Sequence, residues 1–270
     1  LGAESMGSRA VIRDWEQTFV AEFALGDRAG LARLEPPDPL RDGRMPVILE
    51  CEGMLVGRLG GRAGVGGGVA GPLSFAANLR GPERLLYDLC DDPPFAHSLL
   101  RLSLEASATF AEAQVSRGGV ATVNVYEPLA ALISPAMADE FSFPYLKTLA
   151  GRIKRLGASV LLHICNDSGP LITRMVEAGA DILSLDAQVD LARAKELAAG
   201  RAVVSGNVAT QSLARLGTEA VYAESRRALA AAARGGRFTL SSSCEVPMET
   251  PAANIDAMVR AARDWGAGLG

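Results

Sequence analysis

Short apolar runs, each leading into a polar or reactive residue and then a helical stretch, are what most constrain the fold of this chain. From the middle of the sequence onward they recur as Val120–Val125, Ser159–Ile164, Ile182–Leu185, Ala202–Ser205 and Phe238–Leu240. The runs are continuous rather than alternating. That pattern belongs to strands buried on both faces, as in a parallel sheet covered by helices. The intervening segments read as helices: Pro82–Leu89, Pro93–Arg117 stopping at Gly118-Gly119, Ala136–Leu156 interrupted by Pro144, Gly169–Ala178, Leu191–Ala199, Ala209–Arg234 broken near Gly217, and Pro251–Trp265. Repeating βα units over 270 residues predict an α/β protein, either a TIM-like (β/α)8 barrel or a doubly wound sheet. The barrel is preferred because Glu127, His163, Cys165, Asp186, Asn207 and Cys244 all stand at or just past strand ends, which a barrel collects on one mouth. About seven strands can be counted in this reading, so a barrel with a shortened N-terminal part is expected.

The first third of the chain is less regular. Val11–Ala24 reads as an amphipathic helix with Val11, Trp15, Phe19 and Phe23 on one face, and Met45–Leu49 as a short buried strand. Pro36-Pro-Asp-Pro39 is a stiff loop. Gly57–Gly71 is dense in glycine and reads as a flexible segment leading into a tight turn. Gly66, Gly68 and Gly71 fit GxGxxG, but no clear strand precedes them and Pro72 follows, so a dinucleotide site is not expected. The resulting division is an N-terminal helical or loop extension, residues 1–45, and a barrel domain, residues 46–270.

Composition narrows the function classes. With 49% hydrophobic and 21% charged residues the chain has the makings of a full core. A net charge of −4, a pI near 5.4 and no basic cluster argue against a nucleic-acid partner. No apolar run is long enough to span a membrane, and Leu1-Gly-Ala-Glu-Ser does not resemble a signal peptide. Four Cys are too few for a disulfide framework, which points to a reduced, cytoplasmic protein. Neither a P-loop nor a GxSxG elbow is present.

The chemistry concentrates in His163-Ile-Cys165 at one strand end and Cys244 at another. Residues i and i+2 of a strand share a side, so His163 and Cys165 can both face the barrel mouth, within reach of Cys244. One imidazole and two thiolates make a three-ligand set for Zn²⁺ with the fourth tetrahedral position open, the mark of a catalytic site. The competing reading is that the cysteines are ordinary buried thiols.

The residues around that set carry a resemblance. Val160-Leu-Leu-His-Ile-Cys-Asn166, Gly179-Ala-Asp-Ile-Leu-Ser-Leu-Asp186, Ser205-Gly-Asn-Val208, Ser243-Cys-Glu-Val-Pro247 and Thr250-Pro-Ala-Ala-Asn-Ile255 resemble the uroporphyrinogen decarboxylase superfamily. Gly71-Pro-Leu-Ser-Phe-Ala-Ala77 and Leu132-Ile-Ser-Pro135 fit as well. The HxC…C subset is similar to the zinc-dependent, corrinoid-linked methyltransferase branch, whose best-known members are the methylcobamide:coenzyme M methyltransferases. The resemblance implies a TIM-like barrel, zinc held by His163, Cys165 and Cys244, and methyl transfer between a corrinoid cobalt and a thiol or other heteroatom of a small-molecule donor or acceptor. No DxHxxG corrinoid-binding run is present, so the corrinoid would come in trans, on a partner protein or free. Methyltransferases of this branch usually have Gly where Asn166 stands and often Gly where Glu245 stands, so the pocket is expected to differ.

Supporting roles follow from position. Glu127, at a strand end before Pro128, is a candidate catalytic residue lining the pocket, as a fourth zinc ligand or a proton acceptor, or else a solvated loop acid. Asp186 is a candidate carboxylate orienting His163, or else a helix N-cap. Asn207 either orders its strand-end loop or contacts cofactor or substrate. Glu50 and Glu52 are spare candidates for the fourth ligand, Cys51 and Cys90 read as core thiols, and His97 as a packed or surface histidine. Two alternatives remain: a metal-free decarboxylase-like lyase, and an idle family member that binds a partner as a scaffold. A homodimer is the default assembly.

Overall fold

The computed structural model describes residues 2–14, 18–59 and 61–268. It divides into two compact units, the first comprising residues 1–162 and 177–180, the second residues 163–176 and 181–270.

The first unit opens with α1 (Gly2–Ser5) and an antiparallel hairpin, β1 (Arg9–Val11) with β2 (Phe19–Glu22), in which Val11 faces Phe19 and Ala10 faces Val20. The hairpin replaces the helix expected over Val11–Ala24. Val11 and Val20 are β-branched, and the Arg9 guanidinium bonds the Glu22 carboxylate across the pair at 2.7 Å. Trp15 lies outside the described residues. The run at Met45–Leu49 is likewise not a strand. It opens α2 (Met45–Leu59), which buries Met45, Leu49 and Glu52, the i, i+4, i+7 row of a helix. A five-residue apolar run cannot by itself distinguish the two periods.

The first strand of the parallel sheet is instead β3 (Gly66–Ala70), inside the glycine-rich run that reads as flexible in sequence. Its glycines make room for side chains. A Cβ on Gly67 would lie 2.0 Å from Oε1 of Gln114. That amide acts as a surrogate strand: Gly68 N–H donates to Gln114 Oε1 at 2.7 Å, and Gln114 Nε2 donates to Gly68 O at 3.3 Å. Ser107 Oγ donates to Ala70 O, so this strand edge is closed by side chains rather than left as a pairing template. β3 pairs in parallel with β4 (Thr122–Tyr126), Gly68 opposite Asn124.

Between these strands run α3 (Pro72–Arg80), α4 (Pro82–Asp91) and α5 (Pro93–Ala113), each with Pro in its first turn. Their core is aliphatic, with Leu73, Leu79, Leu85, Leu99 and Leu100 fully buried. It encloses the Asp88 carboxylate, which pairs with Arg80 and with Arg28. Arg80 Nε meets Asp88 Oδ2 at 2.7 Å, and Arg80 Nη1 also donates to Gly26 O, tying the N-terminal segment to the helices. After β4 come α6 (Pro135–Phe141) and α7 (Phe143–Arg155), separated at Ser142 as Pro144 requires.

β5 (Ser159–Ile164) carries the chain into the second unit. There α8 (Ile172–Glu177), β6 (Ile182–Leu185), α9 (Leu191–Ala198), β7 (Val203–Val208), α10 (Thr210–Arg215), α11 (Thr218–Ala232), β8 (Phe238–Ser242) and α12 (Ala252–Ala267) follow the alternation read from sequence. β6, β7 and β8 pair in parallel, Ser184 opposite Ser205 and Asn207 opposite Ser241. The sheet order is the chain order, β3 to β8. Among the described residues the sheet therefore holds six strands, in the parallel α/β form expected. No helix among them is long and apolar enough to cross a membrane.

Candidate metal centre

All three predicted ligands belong to the second unit. His163 is the penultimate residue of β5, Cys165 follows the strand, and Cys244 stands two residues past β8. The structure brings them together. His163 Nε2 lies 3.1 Å from Cys165 Sγ and 3.6 Å from Cys244 Sγ, and the two sulfurs are 3.8 Å apart. A tetrahedral zinc with ordinary bond lengths separates two sulfurs by about 3.8 Å and a nitrogen from a sulfur by about 3.6 Å. Two of the three edges meet those values, and the third closes as an N···S hydrogen bond would. Among the described residues this is the one His/Cys/Asp/Glu group with donor atoms so placed.

Neighbours fix each donor. His163 is buried, and its Nδ1 lies 3.1 Å from Ser184 O and 3.0 Å from Ser184 Oγ. A proton on Nδ1 donated to that carbonyl leaves Nε2 with a lone pair facing the sulfurs. Desolvation pulls the His163 pKa below its ordinary value, against the Ser184 carbonyl and the Asp186 charge, which act to raise it. The imidazole is therefore neutral and ready to ligate. Burial, then the neighbouring Cys244, pushes the Cys165 thiol up to about 12. Ser242 Oγ donates to Cys244 O at 2.8 Å, and Ser243 N–H to Val208 O, which anchor the loop carrying the second sulfur.

The group in contact with His163 Nδ1 is thus Ser184, one residue before the end of β6, while Asp186 acts on the ring through its charge. Nor does Asp186 cap the next helix, a task Asp190 performs by accepting from Ala192 and Arg193 N–H. Asp186 Oδ2 accepts the Asn166 N–H at 2.8 Å and Oδ1 the Ala187 N–H, so it clasps the turn that carries Cys165. Asn166 sits there at φ +60°, a left-handed conformation that Gly takes freely and Asn tolerates better than most. Asn207 uses its Nδ2 to bond Asp186 O and Val189 O, ordering the loop after β6. Beside it, Gly206 passes so close to Leu185 that a Cβ would lie 2.8 Å from the carbonyl oxygen.

In the first unit, Glu127 is fully buried with its carboxylate engaged. Oε1 accepts from Leu73 N at 3.0 Å and Ser142 Oγ at 3.1 Å, and Oε2 from Ser74 N at 2.9 Å. It caps the start of α3 and pins the break between α6 and α7, which differs from the ligand or proton acceptor expected of it. Burial raises its pKa while these donors lower it. Glu50 and Glu52 lie on α2 outside the three-donor group, and burial alone pushes Glu52 up to about 7. Cys51 and Cys90 are exposed, not core thiols, because both fall on the outward sides of their helices. His97 is packed as expected, stacked on Phe141 and bonded through Nδ1 to Tyr145 Oη at 2.8 Å.

These features define a parallel α/β protein of the barrel type, with a His-Cys-Cys cluster at its strand ends. The sequence profile described as uroporphyrinogen decarboxylase (URO-D) matches residues 1–265, and the chain belongs to that family. A methylcobamide:CoM methyltransferase MtbA of Methanosarcina acetivorans is 26% identical over 84% of this chain and 66% of its own length. The MtaA enzyme of Methanosarcina barkeri is 28% identical over 85% of this chain and 66% of its own. This chain thus spans about two thirds of the length of these relatives. A uroporphyrinogen decarboxylase of Hordeum vulgare is 28% identical over 61% of the chain and 52% of its own length. Among solved structures, a methyltransferase from Methanosarcina mazei superposes with a TM-score of 0.89 at 26% identity, over 97% of this chain and 77% of that one. The likeness agrees with a TIM-like barrel.

Proposed function

We propose that this chain is a zinc-dependent methyltransferase that moves a methyl group between a corrinoid, supplied in trans on a partner protein or free, and a thiol or other heteroatom of a small substrate. The observation that carries the reading is the donor triangle of His163, Cys165 and Cys244, whose S···S edge of 3.8 Å is that of a tetrahedral zinc site. Similarity to methylcobamide:CoM methyltransferases supports it. These three residues would hold zinc, which would supply Lewis-acid chemistry to a thiol or a methylated heteroatom of the substrate.

The chain's own part is positioning and proton bookkeeping. Ser184 keeps the His163 proton on Nδ1, so Nε2 is the ligating atom. Cys165 gives up its thiol proton as metal is bound, a loss that its raised pKa makes dependent on the metal. Asp186 holds the Asn166 turn, and with it the Cys165 sulfur, in place. Glu127 serves as a positioning residue through the α3 start. Asn207 keeps its loop beside a pocket of about 260 Å³ also lined by Glu224 and Arg227.

Demethylation of free methylcobalamin by a panel of thiols, followed by its visible spectrum, tests the proposal. Transfer that depends on the chain and disappears in a folded Cys244→Ala variant is the expected outcome. No transfer to any thiol, and none from methylated substrates to reduced cobalamin, would contradict it and favour the scaffold reading.

A further inference from the structure

A second group of polar side chains in the second unit involves none of the three proposed metal ligands. There a pocket of about 260 Å³ is bounded by the loop after β6, the end of β7 and α11. Small-molecule sites usually run from about 300 to 1,000 Å³, so the occupant of this one is small. Val189, Leu191 and Ala228, all buried, give it apolar walls. Asn207, Glu224 and Arg227 supply its polar side chains. Glu224 and Arg227 stand three residues apart on α11, a spacing at which opposite charges commonly pair. Here they do not. Arg227 is exposed and has no ion-pair or hydrogen-bond partner among the described residues. Glu224 accepts the Ala209 N–H at 2.7 Å through Oε1 and has no cationic partner among them. Asn207 spends its Nδ2 on Asp186 O and Val189 O, which leaves the acceptor Oδ1 as its open polar atom.

One small volume thus holds an unpaired cation, a carboxylate without a counter-charge and apolar walls. Each feature asks something of the occupant. A carboxylate suits Arg227, whose guanidinium can take both oxygens. An ammonium suits Glu224, with Asn207 Oδ1 as a further acceptor. A compact aliphatic group suits Val189, Leu191 and Ala228. The two charges of the pocket rise from helix positions about 5–6 Å apart at Cβ, which fits a ligand whose own two charges are close together. A simple anion leaves Glu224 unmatched, and a simple amine leaves Arg227 so. We infer that this pocket binds an α-amino acid with an aliphatic side chain, as its zwitterion. The binding requires neither zinc nor a corrinoid, so its failure would leave the methyl-transfer proposal untouched.

Isothermal titration calorimetry of the full chain with alanine, valine and leucine tests it. Isobutylamine and isovalerate, which are valine without its carboxylate and without its ammonium, serve as the truncated probes. At least one of the three amino acids is expected to bind with a Kd below about 1 mM. Each truncated probe should bind at least about tenfold more weakly than valine, because it leaves one charge of the pocket unmatched. In Arg227→Ala, valine should lose its advantage over isobutylamine. In Glu224→Gln, which keeps an acceptor for the Ala209 N–H, valine should lose its advantage over isovalerate. Circular dichroism checks that both variants are folded. No heat of binding from any of the three up to about 20 mM would overturn the inference. So would equal affinity for valine and both truncated probes. Valine binding that survives both substitutions would overturn it as well, since the amino acid would then sit elsewhere, the metal centre included.

Discussion

Two strand ends of this molecule carry reactive residues to opposite effect. After β4 in the first unit, Glu127 is fully buried and its carboxylate is met by two backbone amides and a hydroxyl. Around β5 in the second unit, His163 and Cys165 have supporting atoms held by Ser184 and the Asp186 clasp, while Nε2 and Sγ face one another and Cys244. At the first place the polar atoms hold the fold together. At the second the fold holds them around the proposed metal centre. The lesson is that a reactive residue type at a strand end says little until its partners are known. A carboxylate fully engaged by the fold is structure, whereas potential ligand atoms gathered on one another mark a candidate site.

The contrast can be broken most severely at the cluster. Cys244→Ala should lower zinc affinity by about a thousandfold or more, in chelator competition, with little change in the urea midpoint of the metal-free chain. Glu127→Ala should do the reverse: it orphans Leu73 N, Ser74 N and Ser142 Oγ and costs about 2–4 kcal/mol in urea unfolding, while zinc content is kept. Raising pH should sharpen the difference. With Cys165 at about 12, metal must displace a thiol proton throughout the neutral range, so apparent zinc affinity should rise by about tenfold per pH unit from that thiol alone. His163, with its pKa lowered, is already neutral there and adds no further slope. Ser184→Ala removes one of two contacts to Nδ1 and leaves the carbonyl, so zinc affinity should fall by about tenfold or less.

A further effect, confined to pH, is expected at Glu52, a buried acid whose Oε2 lacks a hydrogen-bond partner among the described residues. Its folded pKa of about 7 lies above the ordinary 4.5, so between those values the folded chain holds the extra proton. Stability from this group is full below the lower value and lost as pH rises toward the upper one. Glu52→Gln should therefore raise the urea midpoint in mildly alkaline buffer and leave it unchanged in acid.

Much of the second unit was legible in sequence. β5 spans the same residues, Ser159–Ile164, as its apolar run, and the i, i+2 spacing of His163 and Cys165 needed only strand alternation to be read. β3 was not legible, because glycine has no side chain to carry a period. The reason for its glycines lies with Gln114, whose amide occupies the space a Cβ would take, far along the chain. The Met45–Leu49 run misled because its helix buries only one row and exposes Val47. Ser184 was missed as the partner of His163 because that pairing depends on how β5 and β6 align. Its one sequence signal is a polar residue within the otherwise apolar run Ile182–Leu185.

The central claim is that His163, Cys165 and Cys244 form one open zinc site. The most direct measurement is the metal content of the full chain purified under reducing conditions, beside His163→Ala and Cys244→Ala. The structure predicts about one zinc per chain, lost in both variants while their folding is kept. A wild-type chain that holds no zinc even after zinc is added back, or one whose zinc survives both substitutions, would contradict it.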